Sequence, residues 1–260
     1  MGILNVTPDS FSDGGQFTSA QQAADYAIKM IHDGADIIDI GGESTRPGAK
    51  AVSLEEELKR VKPVIKAIRK QSDCLISIDT YKASVAETAL DLGADIVNDI
   101  SSLSFDQDMA NLISTRKVPI ILMHMQGSPQ DMQINPIYNN LINDLIHFFK
   151  SKIEIASKAG IVKNMIILDP GIGFGKQVED NFEIIRELKQ IKAMGYPILL
   201  GPSRKSFIGK ALNLPLEERL EGTMASMAVG IINGAKIVRV HDVIETRRTV
   251  SIVENILGKY

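Results

Sequence analysis

The chain has 260 residues, of which 44% are hydrophobic and 23% charged, and its formal net charge is -3 at pH 7. This is the composition of a globular protein, and a charge so close to zero excludes a basic surface over the whole molecule, so nucleic acid is not a predicted partner. No run approaches the roughly 18 apolar residues of a membrane helix, so no membrane is predicted as a partner. The single cysteine, Cys74, cannot form an internal disulfide, and the first residues lack the features of a signal peptide, so a cytoplasmic location is predicted.

Three segments share one pattern, in which a helical periodicity stops at a glycine and a short β-branched run follows. They are Gly34–Asp39, Gly93–Asn98 and Gly234–Arg239. A glycine just past a helix end is the usual left-handed cap. A short Ile/Val run after it is typical of a strand buried on both faces. The repeat therefore predicts parallel strands alternating with helices.

The same pattern extends along the chain. Eight strands are predicted: Gly2–Asn5, Ile37–Ile40, Leu75–Asp79, Ile96–Asp99, Pro119–Met123, Met165–Asp169, Pro197–Gly201 and Lys236–His241. Eight helices are predicted near residues 19–32, 53–70, 82–92, 106–115, 138–158, 180–194, 217–233 and 243–257. This alternation, in a length close to the ~250 residues typical of the fold, predicts an α/β protein with a TIM (β/α)8 barrel. The whole chain, 1–260, is then a single domain. A doubly wound open sheet is the alternative, but no Gly-x-Gly-x-x-Gly follows the first strand.

Polar residues follow almost every predicted strand, where the active sites of TIM barrels lie. In chain order they are Asn5, Asp39 with Glu43, Asp79, Asn98 with Asp99, His124, Asp169, Arg204 with Lys205, and Arg239 with His241. Helix caps explain Asp and Asn at such positions. They do not explain cations, which are disfavoured at helix N-termini, so the Arg, Lys and His residues indicate function.

Two of these positions suggest binding chemistry by themselves. Arg239 and His241 are two residues apart and point to the same side of a strand, which suggests an anion site for phosphate or carboxylate. Asp169 precedes the rigid turn Pro170–Gly171, and its carboxylate can accept two parallel N–H bonds from a heterocycle. Adjacent Asn98 and Asp99 are expected to face opposite ways.

Lys205 has two interpretations from the residues alone. It could form a Schiff base with a carbonyl substrate, or it could act as a hydrogen-bond donor or point charge. The four histidines are scattered, and His124 has no partner at metal-ligand spacing, so the sequence predicts no metal cluster. The residues alone thus indicate a barrel enzyme with an anion site and a polar pocket.

The polar segments also match the motifs of a known family. They are Leu4–Gly15, Gly41–Gly48, Ser77–Thr80, Asn98–Ile100, Met123–Gly127, Asp169–Lys176, Ser203–Ser206 and Arg239–Asp242. In these residues and in their order the chain resembles the dihydropteroate synthases, pterin-binding TIM-barrel enzymes of the bacterial folate pathway. The resemblance covers almost the whole length. One departure is Pro202, where the family usually has a small or apolar residue.

The resemblance implies a reaction and its participants. The family condenses 6-hydroxymethyl-7,8-dihydropterin diphosphate with p-aminobenzoate to 7,8-dihydropteroate and diphosphate, with Mg2+ on the diphosphate. The C–O bond is thought to ionise first, so no protein nucleophile is needed. Sulfonamides are the implied inhibitors, and a homodimer is the implied assembly.

The resemblance also implies roles for individual residues. The pterin would be bound by Asp79, Asn98, Met123, Asp169, Phe174 and Lys205. The diphosphate would be bound by Asn5, Thr45, Arg46, Arg239 and His241, with Asn5 also at the metal. The p-aminobenzoate region would hold Phe11, Pro47 and Ser206. The segments Thr7–Phe17 and Gly41–Val52 resemble two mobile loops that close over the ligands.

Other functions compete with this interpretation. A pterin-binding methyltransferase would share the barrel and the pterin carboxylates, but it has no diphosphate to bind, which Arg239 and His241 argue against. A lysine aldolase would need a further group that polarises a carbonyl near Lys205. A paralogue that binds pterin without turnover is the non-enzymatic alternative, and diphosphate release would separate it from an enzyme.

Overall fold

A computed structural model describes residues 1–6, 18–44, 48–49 and 51–258 of the chain. The described strands are β1 (Gly2–Asn5), β2 (Ile37–Gly41), β3 (Leu75–Asp79), β4 (Ile96–Asp99), β5 (Ile120–Met123), β6 (Ile166–Asp169), β7 (Leu199–Leu200) and β8 (Ile237–Val238). The described helices are α1 (Thr18–His32), α2 (Leu54–Arg69), α3 (Ala83–Asp91), α4 (Met109–Arg116), α5 (Leu141–Lys158), α6 (Val178–Lys192), α7 (Ser206–Leu212), α8 (Leu220–Ile232) and α9 (Val243–Ile256). Within these ranges no helix combines the length and the apolar character that crossing a membrane requires.

The strands form a closed parallel barrel. β1 to β6 pair in sequence order, and β7 pairs with β8. Two single bridges join these sheets, one between Leu168 and Ile198 and one between Gly2 and Val240. At the second junction the amide of Ile3 donates to the carbonyl of Val240 over 2.9 Å. The predicted TIM barrel is confirmed, because an open doubly wound sheet would not join its first and last strands.

β7 and β8 are shorter than predicted, two residues each instead of Pro197–Gly201 and Lys236–His241. The chain nevertheless stays bonded to its neighbours beyond them. The amide of Arg239 donates to Leu200 over 3.0 Å, and the amide of Val240 donates to Met1 over 2.9 Å. Successive amides thus bond alternately to β7 and to the start of β1. The regular pairing in each direction is therefore short, although the barrel wall is continuous.

The helices lie close to their predicted positions, with differences that capping explains. α5 begins at Leu141, not near 138, because the Asn140 side chain accepts from the Asn143 amide over 3.1 Å. α4 begins at Met109, later than predicted, since the Asp106 carboxylate accepts from the amide of Ala83 over 2.8 Å. α7 was not predicted, because seven residues are too few to show a helical period.

The core has two parts, and together they set the position of the polar residues. Side chains on the outer faces of the strands pack with the helices in one large cluster. Inside the barrel lies a smaller apolar cluster of Met1, Ile37, Ile96, Ile121, Ile167 and Leu199. Two residues further along each strand, the side chain again points inward. These next inward positions are Ile3, Asp39, Asn98, Met123, Asp169 and Gly201, so a layer with three polar side chains, here called the polar layer, lies above the apolar one.

Arg69, the last residue of α2, ties the opposite face of the barrel together. Its guanidinium donates to the carbonyl of Gly93 from Nε over 2.9 Å and to the carboxylate of Asp95. Asp95 in turn accepts from the amide of Ile76 over 2.8 Å. This contact therefore links α2, β3 and the entry to β4 far from the polar layer.

We expect Arg69→Met to destabilise the fold without affecting ligand binding. Loss of these charged hydrogen bonds should lower the melting temperature by about 6 °C. Arg186→Met is the matched control, because its side chain is 66% exposed beside Glu187, and it should shift the melting temperature by less than about 2 °C. Equal shifts in the two variants, measured by calorimetry, would contradict a structural role for the Arg69 contacts.

Candidate active site

The polar layer opens into a pocket at the carboxyl end of the barrel. Its lining consists of Asp79, Asn98, Ile100, Met123, Asp169, Ile172, Phe174, Gly201, Lys205 and Arg239. All six residues that the sequence assigned to a pterin line this one pocket, together with one of the residues assigned to the diphosphate. Side chains from six different strands or strand ends thus meet in one place.

Arg239 stands between two carboxylates at the floor of this pocket. Its Nε donates to Asp39 Oδ2 over 2.6 Å, and its Nη2 donates to Asp79 Oδ2 over 2.8 Å. Burial by itself would lower the pKa of Arg239, but the charges of Asp39 and Asp79 outweigh it and raise the pKa. The guanidinium is therefore always charged and binds β2 and β3 to the end of β8.

Asp39 is the functional residue that sequence reasoning left without a role. Its side chain is fully buried, and Oδ2 accepts from Arg239 and from Asn98 Nδ2, the latter over 3.2 Å. The other oxygen, Oδ1, has no hydrogen-bond partner among the described residues. The signal in the sequence was its position two residues after Ile37 in β2, which directs its side chain into the barrel. Asp39 orients two pocket residues at once.

Asp79 is poised between its two protonation states. Burial raises the pKa of its carboxyl to about 7, Asp39 adds to the rise and Arg239 opposes it. Asn5 lies close by at the end of β1. A Cβ placed on Gly41 would be 3.6 Å from both Asn5 Oδ1 and Asp79 Oδ2, so the two side chains flank the same glycine.

Asp169 ends β6 and is fixed by a tight turn. Its Oδ1 accepts from the amide of Gly171 over 2.8 Å. Burial raises the pKa of Asp169, whereas the Gly171 bond and the charge of Lys205 lower it. Gly171 has a φ of 69°, and a Cβ there would lie 1.9 Å from the carbonyl oxygen of His124, so only glycine fits. One carboxylate oxygen is thus held, and the other remains for a ligand.

Lys205 projects into the pocket from the turn before α7. Its ammonium lies 4.1 Å from the centre of the Phe174 ring. Burial, followed by the charge of Arg239, lowers the pKa of Lys205 to about 8. The departure from the family at Pro202 is accommodated in the turn, since the Pro202 carbonyl accepts from the Lys205 amide over 3.2 Å.

The other strand-end cations have different surroundings. Arg204 pairs with the carboxylate of Asp242, with Nε 3.0 Å from Oδ2, and it does not line the pocket. The hydroxyl of Ser203 lies 3.0 Å from His241 Nδ1. Burial, with Arg239 and Arg204 nearby, lowers the pKa of His241 to about 4, so the imidazole is neutral at physiological pH. A functional role for Arg204, which the sequence favoured for every strand-end cation, stays a prediction that this pocket does not test.

The remaining predicted site residues lie at the edge of the structure or beyond it. Ser206 is the exposed first residue of α7. Phe11, Thr45, Arg46 and Pro47 lie outside the described residues, as do most of the segment Thr7–Phe17 and part of Gly41–Val52. In the part of the chain that the structure describes, no three His, Cys, Asp or Glu side chains are grouped to hold a metal.

Comparison with known proteins gives this pocket a family. The model of a family described as pterin binding enzyme matches residues 1–241. The chain belongs to the family of pterin-binding enzymes. It is 52% identical over 260 residues to the dihydropteroate synthase of Clostridium beijerinckii, covering 100% of this chain and 94% of that relative.

Solved structures of pterin-binding enzymes agree with the fold in detail. A dihydropteroate synthase from Clostridium difficile, crystallised in the presence of pteroic acid, has a TM-score of 0.93 and 49% identity, and the match covers 98% of this chain and 95% of that one. A Yersinia pestis dihydropteroate synthase in complex with a sulfonamide drug has a TM-score of 0.94 and 45% identity, with 99% and 94% covered. These full-length relatives assign the chain to the synthase group of the family, whose members are transferases.

We expect Asp39→Asn to weaken the whole pocket. The substitution keeps the size of the side chain but leaves Arg239 with a single carboxylate partner, and breaking part of a buried ion pair costs about 3 kcal/mol. The melting temperature in calorimetry should fall accordingly. The exposed Asp73 offers a matched control, because Asp73→Asn removes the same charge without removing a buried partner. If both variants melt like the parent, Asp39 does not hold Arg239.

Proposed function

We propose that the chain condenses 6-hydroxymethyl-7,8-dihydropterin diphosphate with p-aminobenzoate, forming 7,8-dihydropteroate and diphosphate. The observation that carries this proposal is the pocket at the barrel mouth, where two buried carboxylates, one amide and one ammonium stand beside the apolar side chains of Met123 and Phe174. A pterin presents N–H donors along one edge and a flat ring face, and this set of groups matches both. The relative crystallised with pteroic acid supports the same ligand class.

Pterin recognition is assigned to the described pocket residues. The free oxygen of Asp169 and the carboxylate of Asp79 accept from N–H groups of the ring, and Asn98 supplies both a donor and an acceptor. Lys205 donates to a ring acceptor rather than forming a Schiff base. Phe174 and Met123 provide the apolar walls against the ring faces.

Diphosphate binding is assigned to Asn5, Arg239 and His241, with Thr45 and Arg46 from the segment outside the described residues. Arg239 alone is a weak anion site, because one guanidinium already faces the carboxylates of Asp39 and Asp79. His241 adds no charge, since its pKa is lowered to about 4. A neutral imidazole can still donate one N–H. Further positive charge is therefore needed for a diphosphate.

Mg2+ is the proposed source of that charge. Asn5 stands half-buried at the end of β1, and none of the described residues hydrogen-bonds to its side-chain oxygen. An amide oxygen suits Mg2+, which usually takes one or two protein oxygens and completes its shell with phosphates and water. When bound, Mg2+ neutralises charge on the leaving diphosphate.

The reaction needs no covalent intermediate with the protein. The C–O bond to the diphosphate breaks first, which leaves positive charge on the pterin-methyl group. The carboxylates of Asp79 and Asp169 stabilise this charge, since they are fixed beside the ring before it develops. The arylamine then forms the C–N bond and loses a proton. We assign its binding region to Phe11, Pro47 and the exposed Ser206, and sulfonamides would compete there.

The proposal includes three broader properties. The protein acts as one domain over 1–260, works as a homodimer and resides in the cytoplasm. The relative solved with a sulfonamide drug supports the inhibitor class. The assembly and the location follow from the resemblance and from the composition of the chain.

The deciding experiment measures diphosphate release. We expect release only when the pterin diphosphate, p-aminobenzoate and Mg2+ are all present, with dihydropteroate formed in equal amount. Asp169→Asn should abolish most of this activity, because an amide presents a donor where the ring needs an acceptor. Asp73→Asn, at an exposed position, should not. Release that needs no arylamine, or methyl transfer to another acceptor, would contradict the proposal.

The protonation of Asp79 predicts a pH dependence of pterin binding. The carboxyl accepts an N–H bond only when it is ionised, and its pKa is raised to about 7. On the acid side, the affinity for free 6-hydroxymethylpterin, measured by calorimetry, should therefore fall towards tenfold per unit below about pH 6. Asp79→Asn should bind more weakly and lose this dependence. A flat profile for the parent would exclude Asp79 as a pterin acceptor.

A further inference from the structure

Lys176 is a buried cation that the proposed reaction does not use. Its side chain is 3% exposed, and among the described residues it takes part in no ion pair. Its Nζ donates to the carbonyl oxygen of Phe174 over 2.9 Å and lies 3.0 Å from His124 Nδ1. The carbonyl oxygen of His124 is 3.5 Å away. A lysine in such surroundings needs a reason, because a methionine would fill the same space without the cost of burying a charge.

The imidazole of His124 is arranged to accept this contact. Because an ammonium has no acceptor, the protonated form of Lys176 requires His124 Nδ1 to be the unprotonated nitrogen. Burial and the charge of Lys176 lower the pKa of His124 to about 2, which keeps the ring neutral. The ring packs edge-on against Phe148, with 4.7 Å between centroids, and it tilts against Tyr138 at 6.0 Å. His124 is thus fixed from both sides and offers Lys176 a rigid acceptor.

Both partners of Lys176 adjoin walls of the pocket. His124 directly follows Met123, the last residue of β5, whose side chain lines the pocket. Phe174 belongs to the turn after β6, and its ring carries the ammonium of Lys205. Gly171 brings this turn into contact with the carbonyl of His124. Lys176 therefore joins the two segments that carry the apolar walls, without lining the pocket itself.

We propose that Lys176 is a positioning residue of the pterin pocket, which holds the Phe174 wall at a fixed distance from the Met123 wall by bonding to the Phe174 carbonyl and to His124. This inference rests on the proposed function, because it takes the pocket to be the pterin site. The flat ring enters between these walls, so their separation determines its affinity. A shift of the Phe174 turn also moves the contact between Phe174 and Lys205.

The charged groups around Lys176 indicate that its side chain does more than fill space. Burial is the main cause that lowers the pKa of Lys176 to about 7; Asp169 and Asp180 oppose this shift, and Lys205 acts in the same direction as burial. The ammonium and the amine are therefore both populated near neutral pH, and either form can donate to the Phe174 carbonyl. A hydrogen-bonded ammonium fixes two carbonyl groups and a ring nitrogen in direction as well as in distance, which an apolar side chain cannot do.

The test compares Lys176→Met with the parent protein in two assays. Calorimetry with free 6-hydroxymethylpterin should show affinity about tenfold weaker in the variant, from the loss of a charged hydrogen bond at each wall. In steady-state turnover, the KM for the pterin diphosphate should rise about tenfold, while the KM for p-aminobenzoate changes by less than about twofold. The melting temperature should stay close to that of the parent, because removal of a buried charge offsets the loss of its hydrogen bonds.

Lys163→Met is the matched control. Lys163 holds its ammonium 4.9 Å from the centre of the Tyr196 ring, and it lies at the other end of β6 from the pocket. It should leave both KM values unchanged. If Lys176→Met does not fold, Lys176→Gln, which keeps an N–H donor, takes its place and should show the same split with a smaller loss.

The outcomes separate the inference from the function it rests on. A parent protein that does not bind 6-hydroxymethylpterin would overturn the pterin assignment of the pocket. A parent that binds it, with a variant that binds equally well, would overturn the role of Lys176. A variant with a lower melting temperature and equal changes in both KM values would show a structural role only, and would also overturn the proposal.

Discussion

The ion pairs of Arg239 are the constraint on which the rest of the pocket depends. One guanidinium reaches Asp39 on β2 and Asp79 on β3, so the last strand of the barrel is tied to the second and third. Buried ion pairs of this kind seldom stabilise a fold more than apolar side chains of the same size would. Stability alone therefore does not explain why these ion pairs occur here instead of another apolar layer. Their better explanation is that they hold the carboxyl groups of Asp39 and Asp79 in a fixed orientation.

The two-residue alternation of side chains along a β-strand is enough to place these polar groups inside the barrel. Inward-facing side chains recur at every second residue, so an apolar layer at Ile37, Ile96 and Ile167 is followed by a polar layer at Asp39, Asn98 and Asp169. Asp99, on the opposite parity to Asn98, accepts instead from the amides of its own loop, which confirms that the two residues face opposite ways. Because the polar groups stand on strands rather than loops, they keep their geometry before a ligand arrives.

The sequence predicts the barrel well because each strand is signalled locally, by a glycine that ends a helix and a β-branched run that follows. It predicts the pocket residues partly for the same reason, since they end those runs. It does not indicate which side chains meet across the barrel. Asp39 and Arg239 are 200 residues apart, and only the closed sheet brings them together. The sequence likewise does not show the partners of Lys176 and Arg204. Lys176 lies in the motif Asp169–Lys176 and contacts His124. Arg204 lies in the cationic run before α7 and pairs with Asp242.

The charge balance of the pocket favours the formation of a cation. Three carboxyl groups, Asp39, Asp79 and Asp169, face Arg239 and Lys205. In the free protein the pKa of Asp79 is raised to about 7 and that of Lys205 is lowered to about 8, so at neutral pH Asp79 is only partly ionised and Lys205 is mostly charged. Positive charge that develops on a pterin-methyl group lowers the pKa of a neighbouring carboxyl and strengthens its ionised form. Because Asp79 must already be ionised to accept from the bound pterin, its carboxylate attracts this charge as the C–O bond breaks, and the proposed stabilisation is greater in the transition state than in the ground state, which is the condition for catalysis.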